Sequence, residues 1–128
     1  MAKDIVALLL LLLPLAALPA PDTGFVEALC NVASFTAGDP FTESLSYVLA
    51  DLVTVASARA GHDYYNISPY PNAFAYGHAS CSGNLTAGDC ADCLHAAVRA
   101  VSSACPMKIG GRAVLRDCAV RYEKYPFV

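Results

Sequence analysis

The stretch Cys81-Ser82-Gly83-Asn84-Leu85-Thr86-Ala87-Gly88-Asp89-Cys90-Ala91-Asp92-Cys93 decides the fold. It is a C-x8-C-x2-C run that holds half of the six cysteines; the others are Cys30, Cys105 and Cys118. Inside it, Thr86 followed three residues later by Asp89 has the form of a capping box and predicts a helix start. The helix that follows carries Cys90, Cys93, Leu94, Ala97, Val98, Val101 and Ala104 on one face, so both thiols turn toward the core side. Pro106 stops it. Upstream, Phe74 to Cys81 reads as a strand running into the cysteines, with Gly77 as a weak point or bulge.

Working outward, Asp39-Pro40 predicts a first helix, with Asp at the cap and Pro at the first helical position, where its missing N–H costs nothing. Leu45, Val48, Leu49, Leu52, Val53 and Ala56 recur at helical spacing as one apolar stripe. Gly61 closes that helix, with Arg59 in its last turn. Gly24 to Cys30 reads as a first strand, and residues 62–73, rich in Tyr, Asn, Ser and Pro, as a loop with a short edge strand. Gly110-Gly111 predicts a turn. Arg112 to Arg116 and Cys118 to Glu123 read as the last two strands. In the second of these, Cys118, Val120 and Tyr122 alternate with Ala119, Arg121 and Glu123, which places Glu123 on the polar face. The outline is an α+β domain with helices on one face of an antiparallel sheet.

The N-terminus has the parts of a secretory signal peptide. Met1 to Asp4 is polar, Ile5 to Leu18 is nearly all Leu, Ala, Val and Ile, and small residues follow at Ala16, Ala17 and Ala20. The apolar run is well short of the roughly 20 residues of a bilayer span, and Pro14 and Pro19 interrupt or flank it. The expectation is a cleaved segment 1–20 and an exported domain 21–128, with no stable membrane insertion. An even cysteine count in a small exported chain implies a disulfide framework, although spacing alone does not choose the pairing. The net charge of −3 and the lack of a Lys/Arg cluster argue against nucleic acid and against a cationic membrane-lytic peptide. Cys90-Ala91-Asp92-Cys93 at a helix start has the form of a redox motif. Export favours structural bridges over that role and over zinc. His62, His78 and His95 stand isolated, and no catalytic signature is present. The reading is therefore a binding module and not an enzyme, with no cofactor and no metal. Asn66-Ile67-Ser68 and Asn84-Leu85-Thr86 are glycosylation sequons, and Pro69 weakens the first.

Phe25-Val26, Cys30-Asn31, Pro40-Phe41, Leu49-Ala50-Asp51-Leu52, Ala75-Tyr76-Gly77, the C-x8-C-x2-C run, Gly111-Arg112, Asp117-Cys118 and Arg121-Tyr122-Glu123 together resemble the ginkbilobin-type domain of plants. This is the cysteine-rich stress-antifungal domain, found also in tandem in cysteine-rich receptor-like kinases. The resemblance covers essentially all of residues 21–128. It implies two helices packed on a five-stranded antiparallel sheet and the pairing Cys30–Cys105, Cys81–Cys90 and Cys93–Cys118. It also implies a secreted antifungal protein that binds mannose or mannose-containing glycans of the fungal cell wall. By position, the sugar-binding residues are Asn31, Arg112 and Glu123, whose amide, guanidinium and carboxylate suit vicinal hydroxyls. Two other readings stand beside this one. Arg112 and Glu123 could form a plain surface ion pair, worth little. The domain could instead be an apoplastic module that docks to a receptor partner without binding sugar.

Overall fold

The computed structural model describes residues 20–128; the proposed leader, apart from Ala20, lies outside the described residues. Five strands, β1 (Phe25–Cys30), β2 (Asp63–Ile67), β3 (Tyr76–Cys81), β4 (Gly110–Leu115) and β5 (Cys118–Glu123), form one antiparallel sheet in the order β1-β4-β5-β3-β2. Helix α1 (Phe41–Ala58) connects β1 to β2, and α2 (Ala87–Ala104) connects β3 to β4.

The register divides the sheet cleanly into two faces. One inner row reads Asn66, Gly77, Tyr122, Gly111, Cys30, and the next reads Tyr64, Ala79, Val120, Ala113, Ala28. A Cβ on Gly77 would run into Val48 and Leu52 of α1. One on Gly111 would come within 3.0 Å of Val101 of α2. Both helices therefore lie on this face. Gly77 marks the close approach of α1, since its pairing with Asn66 and Tyr122 runs through without a bulge. The sheet's irregularity sits instead in β1, between Phe25 and Glu27.

The α1 stripe is seated as its spacing predicts. Val48, Leu52 and Ala56 are fully buried and Val53 nearly so, while Leu45 and Leu49 pack at the margin. Pro40 already has helical angles, and the Asp39 carboxylate accepts the Phe41 N–H at 2.9 Å, so Asp39 serves as the cap. Arg59 lies just past the helix as its C-cap, and Gly61 follows at φ +81°. The Thr86 hydroxyl accepts the Asp89 N–H at 3.1 Å and opens α2. The α2 face is buried at Cys90, Cys93, Leu94, Ala97 and Val101, but Ala104, the last residue of the helix, is exposed.

One sequence expectation is corrected and another is refined. Gly110-Gly111 is no turn: both residues are paired within β4, Gly110 opposite Glu123 and Gly111 opposite Tyr122. The connection out of α2 runs through residues 105–109 instead. Glu123 lies on the polar face but is buried, at 7% exposure.

The disulfides are Cys30–Cys105, Cys81–Cys90 and Cys93–Cys118, the pairing that the resemblance implies. Cys90 and Cys93 pair with different strands, so the C-x2-C thiols do not pair with one another. In the chain-entropy picture the Cys30–Cys105 bridge, with 75 residues of separation, restricts the unfolded chain by about 4.5 kcal/mol.

Candidate functional site

The second sheet face carries the polar chemistry. Its rows read Ile67, Tyr76, Glu123, Gly110, then Tyr65, His78, Arg121, Arg112, Leu29, then Asp63, Ser80, Ala119, Val114, Glu27. Period-two alternation puts all of these opposite the helices.

Asn31, Arg112 and Glu123 come together here. They line one open depression of about 360 Å³ with Leu29, Cys30, Arg121 and Tyr125. Each arrives for a local reason. Asn31 follows the last residue of β1, where the Cys30–Cys105 bridge and the Asn31 N–H to Gly110 carbonyl bond (2.9 Å) tie down the strand end. Its Oδ1 accepts the Ala33 N–H at 3.0 Å, which leaves the amide N–H donors uncommitted among the described residues. Arg112 stands on β4 directly opposite Arg121 of β5. Glu123 closes β5, facing Gly110.

The ion pairing differs from the bland reading of the sequence. Arg112 does not meet Glu123; its Nη2 donates to Glu27 Oε1 at 2.7 Å, across to β1. Glu123 Oε1 accepts from Arg121 Nε at 3.3 Å. Both members of the Arg112–Glu27 pair are about half exposed, so the pair orients the guanidinium more than it stabilises the fold. The guanidinium keeps further donors for a ligand.

Glu123 has the most unusual surroundings. Its side chain is only 9% exposed, and Oε2 is buried without a hydrogen-bond partner. An unpartnered buried carboxylate oxygen carries a desolvation cost. The carboxylate fits because Gly110 has no side chain: a Cβ there would overlap Oε2. Next to it, the Tyr122 phenol points to the opposite face and donates to the Lys108 carbonyl at 2.9 Å. Burial first, and then the Glu123 charge, push Tyr122 up to about 12.

Arg121 and Tyr125 were not singled out from the sequence. Arg121 was legible in principle, two residues before Glu123 on the same strand face. Tyr125 lies beyond β5, where alternation no longer applies.

The sequons differ in accessibility. Asn84 is exposed in the turn before α2. Asn66 is half-buried and donates inward to the Val48 carbonyl (3.1 Å) and to Asp51 Oδ2 (3.0 Å).

Comparison with known proteins identifies the family. Residues 29–125 match the family described as salt stress response/antifungal. The antifungal protein ginkbilobin-like protein of Picea abies is 36% identical over 110 residues, spanning 84% of this chain and 100% of that one. Antifungal protein ginkbilobin-2 of Ginkgo biloba is 36% identical over 110 residues, spanning 84% and 81%. Among solved structures, the tandem DUF26 ectodomain of the Arabidopsis thaliana cysteine-rich receptor-like protein PDLP5 superposes with a TM-score of 0.74 at 24% identity. The chain covers 52% of that ectodomain, about half its length, and the likeness there is one of fold. The match along residues 29–125, the three disulfides and the two helices on a five-stranded antiparallel sheet assign this chain to the salt stress response/antifungal family, among ginkbilobin-like proteins.

Proposed function

We propose that residues 21–128 form a secreted plant defence protein that binds mannose-type carbohydrate through Asn31, Arg112 and Glu123. The antifungal relatives and the receptor-like ectodomain support an extracellular defence or apoplastic module. A leader spanning residues 1–20 would direct export and be removed in the course of it. Among the described residues, no helix is long and apolar enough to cross a membrane.

The observation that carries the sugar reading is the convergence of the three side chains on one depression. The roles follow from what each group has left to give. Glu123 accepts from a sugar hydroxyl, Asn31 donates through its amide, and Arg112 donates to an adjacent oxygen. Charge-assisted bonds of this kind give direction at modest affinity, and fungal-wall mannan would add to it by multivalency.

Calorimetric titration of the oxidised protein with mannose, with galactose as control, tests this. The expected result is saturable mannose binding that Asn31→Ala, Arg112→Ala and Glu123→Ala each weaken by about tenfold or more. A correctly folded protein that ignores mannose would overturn it.

A second reading has its own support. Edge strand β1 and the residue after Asn31 expose Phe25 (62%), Val26 (55%), Leu29 (55%) and Val32 (93%). Unpaired strand edges and apolar side chains of this kind suit a protein partner at the cell surface. Retained antifungal activity without sugar binding would favour it.

A further inference from the structure

The depression around Glu123 does not end at Arg121. Arg112 and Arg121 also line a second, more enclosed cavity of about 180 Å³ on the same sheet face, toward β2. Tyr65, His78 and Phe127 line it together with Ser80 and the aliphatic side chains of Val114, Ala119 and Val128. We infer that this cavity is a second sugar subsite, so that the ligand is a neutral oligosaccharide of at least two pyranose units and not a single hexose. The inference rests on the mannose reading of the first site.

Three observations carry it. The two cavities share a border made by two side chains directly opposite each other on β4 and β5, so an extended ligand passes from one to the other over Arg112 and Arg121. The wall is pre-assembled: the Tyr65 ring stacks on His78 with centroids 4.0 Å apart and 20° between planes. Phe127 sits edge-on to Tyr65 at 6.2 Å, and the Arg121 guanidinium lies 4.0 Å over the Phe127 ring. Tyr65 is nevertheless 49% exposed, so this aromatic surface remains accessible. Aromatic surface beside planar polar groups suits the mixed apolar and hydroxylated surface of a pyranose.

Charge decides the ligand class. Both guanidinium cations along the row have a carboxylate, Arg112 with Glu27 and Arg121 with Glu123, and His78 Nε2 lies 2.5 Å from Asp63 Oδ1. Guanidinium groups compensated in this way offer donors without a net positive field, which fits a neutral sugar better than a phosphate or a uronate.

The test compares mannose with mannobiose and mannotriose by calorimetry on the oxidised protein and on Tyr65→Ser and Phe127→Ala. The expected result is at least about fivefold tighter binding of the oligosaccharides by the parent protein, the worth of one aromatic contact. Both variants should lose that gain and keep the mannose affinity, while Asn31→Ala should weaken all three ligands. Equal affinity per molecule for mannose and mannotriose, with mannose still bound, would overturn the second subsite and leave the first standing. So would variants that keep the oligosaccharide gain. A parent protein that binds none of the three would sink both readings together.

Discussion

Gly110 and Gly111 stand side by side in β4 and answer to opposite faces of the sheet. Gly111 leaves room for Cys105 Sγ and Val101, each 3.0 Å from where its Cβ would be, and Gly110 leaves room for the Glu123 carboxylate. The same substitution should therefore have different effects at neighbouring positions. Gly110→Ala should displace the end of a side chain, with mannose affinity falling several-fold and the unfolding midpoint nearly unchanged. Gly111→Ala should press on the bridge and the helix, with a stability loss of about 1–3 kcal/mol in denaturant titration. The sequons are also separable at this scale. Glycan mass should be found at Asn84 and not at Asn66, whose amide is spent on Val48 and Asp51. Peptide mapping of the plant-expressed protein, with Asn84→Gln as control, checks it. From the sequence alone, adjacent glycines read as a turn because positive φ is their usual use; here neither has it, and what each avoids is a side chain of another element, Glu123 of β5 for Gly110, and Val101 of α2 with Cys105 just after it for Gly111. Glu123 was legible as polar-faced from alternation, but its burial was not, because it depends on that same missing Cβ.

The two helices are held by different means. All three disulfides tie α2, or the residue just after it, to β1, β3 and β5. No disulfide reaches α1, which relies on Phe41, Val48, Leu52 and Ala56, all fully buried, and on hydrogen bonds from Tyr64 and Asn66 to Asp51. The Ser44 hydroxyl adds a bond to the Ala73 carbonyl. A cavity beneath α1 has no covalent constraint to limit it. Leu52→Ala should cost about 2–5 kcal/mol, read as a lower denaturation midpoint with all disulfides intact. Both helices were legible because a stripe at helical spacing, with a cap at its start, is a local signal. The order of the strands was not, since β1 pairs with β4 across most of the chain and no local pattern records that partner.

For the molecule as a whole, alkaline stability turns on two buried or half-buried phenols. Burial and the Glu123 charge hold Tyr122 at about 12; burial and the hydrogen bond to Asp51 hold Tyr64 at about 12; the ordinary value is 10.0. Since the folded state keeps these protons longer than the unfolded chain, their contribution is complete below pH 10 and is lost as pH climbs through about 12. Tyr122→Phe should flatten part of that decline, leaving the share due to Tyr64, at a cost near neutrality of about 1 kcal/mol for the bond to Lys108. Urea midpoints measured from pH 8 to 12 check both signs. The bridges have one more consequence at this scale. The spans 30–105, 81–90 and 93–118 nest and overlap so that every peptide bond between Cys30 and Cys118 lies within at least one of them. An attacking protease that severs any one of those bonds nicks the protein without releasing a piece of it. Asn31, at one end of the chain, and Glu123, at the other, then still belong to a single covalent body.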